Sequence, residues 1–241
     1  MGEWFTTLYG DSFAPFGTSH LIVLFIYLAG IILLLITYKK IISSNYLYNT
    51  LRWFFFSLLI LSELGYQAWS IHNGIWSLRE YIPLHLCGIA SIIAAAALAT
   101  HNKKLIYITF FIGLIPSLLA LITPELPYGY PHFRFWKLFI HHIAISWVSI
   151  FLVATNPIKI TFKAMVETYG YLLIYAAIIG FLINPWLNSN YLYLSTTPTT
   201  STPLDLLGSG FWYYVNLCLL GLIVLIGQFG LYKLFKKVST R

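Results

Sequence analysis

The chain has 241 residues, of which 59% are hydrophobic and 9% are charged, and its formal net charge at pH 7 is +7. This composition excludes an ordinary soluble protein and indicates an integral membrane protein. A nucleic-acid partner is not indicated, because the basic residues lie at the ends of apolar segments and do not form a stripe.

The apolar segments predict an all-α, polytopic membrane protein with one domain, residues 1–241. Residues 1–19 lack the basic start and cleavage pattern of a signal peptide, so we expect the N-terminus to be retained. Runs of about 20 residues, the length that crosses a bilayer, predict seven helices. These lie near 20–38, 51–71, 82–100, 104–122, 136–154, 168–186 and 211–232. Asn184-Pro185 could end the sixth helix early, and six spanning helices is the alternative.

The distribution of lysine and arginine predicts the orientation. Eleven of these residues fall in one set of connections and at the C-terminus, whereas Arg79, Arg134 and Lys137 fall on the other side. Because basic residues concentrate on the cytoplasmic side, we expect a multi-pass protein of the cell membrane with an external N-terminus and a cytoplasmic C-terminus.

Two long connections on the predicted external side differ in character. Residues 123–135 contain three prolines, several aromatic residues and a candidate Glu125–Arg134 ion pair, which favours a shaped lid over a slack loop. Residues 196–203 form a polar, low-complexity tract that is typical of a flexible linker. We expect no chemistry from this tract.

The segment from Pro83 to Gly88 carries the strongest functional signal. Pro83 suits the first turn of a helix, which would place Cys87 in the second turn, where the helix dipole favours a thiolate. His85 is two residues away and would face the opposite side of that helix, so the base for Cys87 must come from elsewhere. The structural alternative is a buried cysteine beside a hydrogen-bonded histidine.

Polar residues within the apolar segments cluster at the external level. Glu63 and Gln67 share one helix face because they are four residues apart. His141 and His142 are about 100° apart on their helix, so one of them points inward, and either can accept a proton when neutral. The residues that we expect at this level are His20, Glu63, Gln67, His85, Cys87, His141 and His142. This separation favours a functional cavity that opens to one leaflet.

Several motifs resemble the YwaF-type bacterial integral membrane proteins, which are related to the eukaryotic transmembrane protein 164. They are Phe16-Gly17 with His20, Pro83-Leu84-His85-Leu86-Cys87, the loop 123–135, His142, 190–194, and 204–208 with Trp212-Tyr213. The loop motif is the most specific of them. The resemblance implies a polytopic helical fold and, from the eukaryotic relative, phospholipid acyl transfer through a cysteine at the position of Cys87.

The leading functional hypothesis is a phospholipid acyltransferase or lipid hydrolase of the external leaflet. In it, Cys87 is the nucleophile, His142 is the general base, and His85 or Arg134 holds the head group or the oxyanion. Further candidates for substrate binding are His20, Glu63, Gln67, Glu125, His132, Arg134 and His141. We predict that Cys218, which has no predicted basic neighbour, is not the reactive thiol.

Two other classes of protein are alternatives. A non-enzymatic lipid-binding or transport protein would also concentrate polar residues in a cavity, although the chain shows no internal repeats or paired helix breaks. A metal-binding protein could use His, Cys and Glu side chains as ligands, but the sequence has no local metal-binding spacing. We therefore predict membrane phospholipid as the partner, and no metal and no cofactor.

Overall fold

The computed structural model describes residues 3–7, 11–198 and 202–239. Within these ranges the chain is helical and has no β-strand beyond an isolated bridge between Ser12 and Tyr128, which confirms the all-α prediction. The long helices are α1 (Thr18–Ser43), α2 (Asn45–His72), α3 (Leu86–Thr100), α4 (Lys103–Ile122), α5 (Phe133–Thr155), α6 (Phe162–Leu187) and α7 (Gly210–Ser239).

Six of these helices are long enough and apolar enough to cross a membrane. The exception is α3, an apolar helix of 15 residues, which at about 1.5 Å per residue rises only about 22 Å. The chain is therefore a multi-pass membrane protein with six candidate spans in the described residues. The seven-span count and the orientation of the termini stay predictions.

Several helices begin earlier than their apolar runs indicated. The predicted start near residue 51 for the second helix is wrong, because Ser44 caps α2 by accepting a hydrogen bond from the backbone N–H of Leu47 (3.3 Å). Likewise α5 begins at Phe133, after the cap residue His132, so residues 133–135 are helical. Hydropathy marks only the apolar part of a helix, whereas capping groups fix its ends.

The third helix, in contrast, begins later than predicted. Pro83 is not in its first turn, because α3 starts at Leu86 with His85 as the cap residue. Cys87 therefore lies in the first turn and not in the second. The sixth helix was predicted to end near residue 186, and the alternative was an early end at Asn184-Pro185. The structure has the later end: a π-helical turn at Ile179–Ile183 precedes Pro185, and the helix continues to Leu187. A wider turn accommodates the proline ring.

Helix α5 is the centre of the bundle. It packs against α1, α2, α3 and α4, whereas α6 and α7 pack on the outside, chiefly on α4 and on each other. The contact with α1 is close at Gly30, where an added Cβ would lie 2.0 Å from the Trp147 ring. The apolar core follows α5 along its length, as a large cluster with α2, α3 and α4 and a smaller one with α1.

Alternating connections define two ends of the bundle. We call one the loop end: it contains the connections 73–85, 123–132 and 188–209 and the described residues 11–17 before α1. The other contains the short connections at Ser44, 101–102 and 156–161 and most of the lysines, and we call it the basic end. The predicted site residues all lie toward the loop end.

Candidate functional site

An open cavity of about 300 Å³ lies at the loop end. It is lined by Tyr66, Arg79, Glu80, Tyr81, His85, Glu125, Arg134, Asn190 and Tyr193. Three of the predicted site residues, His85, Glu125 and Arg134, are therefore in its wall. The wall combines two guanidinium groups, two carboxylates and three phenols, so both signs of charge can be bound there.

The connection 123–132 is held in place by the segment before α1. The backbone N–H of Gly129 donates to the carbonyl of Asp11 (2.7 Å), and the N–H of Phe13 donates to that of Pro127 (3.4 Å). A Cβ at Gly129 would lie 2.6 Å from the Asp11 carbonyl oxygen, so this approach requires glycine. The connection is shaped, as its prolines indicated, and Glu125 is its contribution to the cavity.

Cys87 lies beside the cavity wall in the first turn of α3. The first intrahelical hydrogen bond of α3 runs from Ile89 N–H to the carbonyl of His85 (3.1 Å), so the amides of Leu86, Cys87 and Gly88 have no intrahelical acceptor. The backbone of Pro83 packs closely against Gly88, because a Cβ at Gly88 would lie 2.5 Å from the Pro83 carbonyl oxygen. The turn containing Pro83 thus folds tightly onto the start of the helix.

A cation lies within electrostatic range of this cysteine. The ammonium of Lys137, on the second turn of α5, is 3.8 Å from a carboxylate oxygen of Glu63, and the two side chains are only 14% and 19% exposed. The same ammonium lies 4.3 Å from the centre of the Tyr66 ring and interacts electrostatically with Cys87. Burial of the Cys87 thiol favours its protonated form, and the Lys137 cation acts in the opposite direction and favours the thiolate.

Gln67 connects this ion pair to the connection before α3. Its amide donates to Glu63 and to the carbonyl of Tyr81, both at 2.7 Å, and its oxygen accepts a hydrogen bond from Trp76 (2.7 Å). Glu63 and Gln67 therefore share one helix face, as predicted. Their contacts position Lys137 and Tyr81. The side chains of Glu63 and Gln67 are not part of the cavity lining.

The two adjacent histidines of α5 have different partners. Ser62 donates to the Leu59 carbonyl, so its oxygen accepts from Nδ1 of His141 (2.7 Å), and His141 is 2% exposed. His142 is half-buried and donates from Nδ1 to the carbonyl of Leu138 (2.7 Å). Each imidazole thus keeps Nε2 as its acceptor nitrogen. Lys137 is within electrostatic range of both.

His85 packs between two tyrosines from the connection 188–209. Its ring centre lies 5.2 Å from that of Tyr191 and 5.1 Å from that of Tyr193. Burial lowers the pKa of His85, an effect that the Glu125 carboxylate opposes and Lys137 increases. The Tyr193 hydroxyl donates to Glu125, and burial together with this hydrogen bond raises the pKa of Tyr193. His85 is therefore neutral at pH 7, and Tyr193 is a hydrogen-bond donor.

Arg134 is held by aromatic rings at the mouth of the cavity. Its guanidinium carbon lies 4.6 Å from the centre of the Tyr66 ring and 5.2 Å from that of Trp69. Stacking of this kind uses the face of the guanidinium, so its edge forms a hydrogen bond with Tyr66 and can also donate to an anion. Arg134 and Arg79 both line the cavity, so its wall presents two guanidinium groups, the side chains that suit a phosphate.

Two predicted site residues lie outside this cluster. His20 is fully buried; its Nδ1 accepts a hydrogen bond from Phe16 N–H (2.9 Å) in the segment before α1, and its Nε2 donates to the Leu121 carbonyl (2.7 Å), which joins α1 to α4. His132 caps α5 through Nδ1 and donates from Nε2 to Thr6 (2.9 Å). Burial lowers the pKa of His132. Both histidines have structural partners on each nitrogen.

Sequence reasoning missed Lys137, Tyr66 and Tyr193 as members of this site. Lys137 was assigned only to the orientation count, although it is four residues before His141 and so shares its helix face. Tyr66 is adjacent to Gln67, but nothing in the sequence distinguishes it from the many other aromatic residues of the chain. Tyr193 belongs to the 190–194 motif, which was the signal that could have identified it.

Other expected features have plain structural outcomes. In the described part of the chain, no three His, Cys, Asp or Glu side chains come together to hold a metal ion. Cys218 is exposed on α7, where its backbone carbonyl accepts a hydrogen bond from Tyr169 (3.0 Å). Residues 199–201 of the polar tract lie outside the described residues.

Comparison with known proteins gives one match. The model of the TMEM164 family matches residues 15–228, which include the N-terminal motif, α3 and the cavity wall. No curated protein and no solved structure matches the chain. The narrower YwaF-type assignment stays a prediction. Because the match covers most of the sequence, the chain belongs to the TMEM164 family.

Proposed function

We propose that this protein transfers or hydrolyses phospholipid acyl chains, with Cys87 as the nucleophile. The observation that carries the proposal is the nearly buried Lys137–Glu63 pair within electrostatic range of Cys87, beside a cavity that contains two arginines. A cation in an apolar helix bundle is costly and is retained where it has a function. A thiolate formed at Cys87 has such a cation within electrostatic range.

The first chemical step joins the acyl group to sulfur. His142 Nε2 takes the proton of the Cys87 thiol, and the thiolate attacks the ester carbonyl carbon. The new C–S bond forms as the ester C–O bond breaks, and the imidazolium returns its proton to the glycerol oxygen that leaves. The unpaired amides at the start of α3 are suitable donors for the carbonyl oxygen as it gains negative charge.

The second step releases the acyl group. A hydroxyl of a lysophospholipid or of water attacks the thioester and gives its proton to His142. The C–S bond breaks, and the thiolate takes that proton, so the enzyme is restored. A lysophospholipid acceptor gives acyl transfer and water gives hydrolysis. In both reactions Arg134 and Arg79 would hold the phosphate of the substrate at the cavity mouth.

The direct test uses purified full-length protein in vesicles with phospholipid that carries a labelled acyl chain. We expect a labelled thioester on the wild-type protein that hydroxylamine cleaves and that is absent from Cys87→Ala. Cys218→Ala, which removes the exposed cysteine of α7, is the matched control and should keep the label. Turnover should be nearly lost in Cys87→Ala and in His142→Ala, and the double variant should be little worse than either.

Other outcomes separate the alternative functions. If folded Cys87→Ala protein releases or transfers acyl chains at the wild-type rate, the cysteine mechanism is wrong. A lipid-binding or transport function is favoured if the wild-type protein retains labelled phospholipid through purification but never forms a thioester. His141→Ala in place of His142→Ala tests which imidazole is the base.

The proposed orientation places the cavity in the external leaflet of a bacterial plasma membrane. We propose seven spans, with α3 as the shortest, an external N-terminus and a cytoplasmic C-terminus. The support is the distribution of basic residues, because the basic end contains most of the lysines. Single cysteines introduced at Thr196 and at Lys39 should react with a membrane-impermeant reagent from outside and from inside, respectively. The reverse pattern would reverse the orientation.

A further inference from the structure

A second cavity, of about 410 Å³, lies at the basic end between the start of α4, the connection 156–161 and the start of α6. Its lining includes three exposed lysines, Lys103, Lys159 and Lys163. It is at the opposite end of the bundle from Cys87, so it is not part of the proposed acyl-transfer site.

The lysines of this cavity have no carboxylate partner. Across the described ranges, none of the three ammonium groups forms an ion pair. The carboxylate in the wall, Glu167, accepts a hydrogen bond of 2.6 Å from the hydroxyl of Tyr107. Three ammonium groups and one carboxylate leave two positive charges in excess, so the cavity is suited to an anion.

The neighbouring Lys104 differs from the cavity lysines because its ammonium has a hydrogen-bond partner. Its ammonium donates to the Tyr171 hydroxyl (2.6 Å) and lies 4.6 Å from the centre of that ring. It does not line the cavity. The three cavity lysines have no corresponding acceptor, and the first turns of α4 and α6 contain no acidic residue that could supply one.

The position of the cavity favours a lipid over a free anion. Both α4 and α6 are candidate membrane spans that begin at the cavity, so it lies at the level of lipid head groups. Below Lys163, on the same helix face, Val166 and Ile174 are 49% and 60% exposed, and a Cβ at Gly170 would meet no atom within 4 Å. This face is an apolar surface along which an acyl chain can lie.

We propose that this cavity binds the phosphate-bearing head group of an anionic phospholipid. Lys103, Lys159 and Lys163 contact the phosphate, and an acyl chain packs on the exposed face of α6. Basic pockets at helix ends bind acidic lipid head groups in this way. The site holds a resident lipid, and it is independent of the reaction at Cys87.

The test is native mass spectrometry of the full-length protein, with dioleoyl phosphatidylglycerol and dioleoyl phosphatidylcholine as probes. We expect the wild type to retain phosphatidylglycerol preferentially. The triple variant Lys103→Gln/Lys159→Gln/Lys163→Gln should lose about fivefold in affinity per lysine, from roughly 1 kcal/mol for each basic residue near an acidic lipid. The control Lys39→Gln/Lys40→Gln/Lys233→Gln removes the same charge from the same end without altering the cavity.

Each result decides the proposal. Loss of phosphatidylglycerol in the cavity variant with retention in the control supports it, provided that both variants keep the wild-type elution volume. Equal loss in both variants overturns it, because net charge alone would explain the binding. If the wild type binds inorganic phosphate but shows no preference for phosphatidylglycerol over phosphatidylcholine, the cavity binds free phosphate and the lipid assignment is wrong. A single Lys163→Ala variant, which is the mildest change, replaces the triple variant if that one does not fold.

Discussion

The ion pair between Lys137 and Glu63 should be strongly coupled in unfolding. At 3.8 Å, two unit charges attract by about 4 kcal/mol at an effective dielectric constant of about 20. The two side chains are 14% and 19% exposed, so partial hydration reduces this value, and we expect a coupling free energy of about 2–3 kcal/mol. An exposed pair would give about 0–1 kcal/mol.

A double-mutant cycle measures this coupling. Lys137→Met keeps the apolar stem, and Glu63→Gln keeps an oxygen that can accept from Gln67, so each change removes mainly a charge. Each single variant should lose about 3–5 kcal/mol of unfolding free energy, because the remaining charge is left without its partner. The double variant should be more stable than the sum of the two losses indicates. Denaturation in mixed micelles at several protein concentrations provides the four free energies.

The same variants test the effect of Lys137 on Cys87. Alkylation of Cys87 should be slower in Lys137→Met than in the wild type, because the cation that favours the thiolate is gone. Alkylation of Cys218 in the same molecules is the internal control and should not change. A coupling free energy below about 0.5 kcal/mol would show that solvent screens the pair, and unchanged alkylation of Cys87 would refute the proposed interaction.

Two further predictions concern packing and pH. Gly30→Ala should destabilise the protein by about 1–3 kcal/mol, because the added Cβ would lie 2.0 Å from the Trp147 ring. The control Gly227→Ala has open space around it and should be neutral or stabilising by up to about 1 kcal/mol. Thermal unfolding of the two variants measures the difference. Burial lowers the pKa of His85 and His132 below the ordinary value of 6.5, so the unfolded chain binds more protons and unfolding free energy should fall as pH falls below 6.5. Denaturation is measured at pH 7.5 and at pH 5.5, about one unit either side of the ordinary value. The decrease in unfolding free energy between the two pH values should be smaller in His85→Gln/His132→Gln than in the wild type. An equal decrease in both proteins would contradict this assignment.

The helices were predictable from sequence because a membrane permits few alternatives. Backbone groups in lipid must be paired within the segment, so an apolar run of sufficient length forms a helix. The bounds were less predictable because they depend on caps such as Ser44 and His132, which lie outside the apolar runs. Pro83 gave the wrong start for α3, because proline suits a tight turn before a helix as well as the first turn of one.

The site was predictable in depth but not in lateral position. Counting residues from the helix ends correctly grouped Glu63, Gln67, His85 and the two histidines at the loop end. It could not separate His20, which has the same depth but lies between α1 and α4. Lateral position depends on which helices are neighbours, and hydropathy does not contain that information. Lys137 was missed for a related reason, because a charge near a helix end is first interpreted as an orientation signal.

The short length of α3 has a consequence for how the protein is assembled. As the seventh span proposed above, α3 would rise about 22 Å in a hydrocarbon layer of about 30 Å, so residues 73–85 would extend inward to meet it. Their non-helical carbonyls need donors at that depth. Three side chains supply them, each at 2.7–2.8 Å: Gln67 to Tyr81, Tyr191 to Leu78 and Tyr175 to Leu84.

These donors come from α2, from α6 and from the connection before α7. The long helices pair their backbone groups within the segment, whereas the segment that carries His85 needs donors from elsewhere in the chain. Its own hydrophobicity is therefore not sufficient for stable insertion into lipid. We expect it to become stable only after the chain has been synthesised as far as residue 191 and α6 has docked. The end of α3 that carries Cys87 would thus be completed late in biogenesis, and a truncated chain that ends before α6 would leave it open to water.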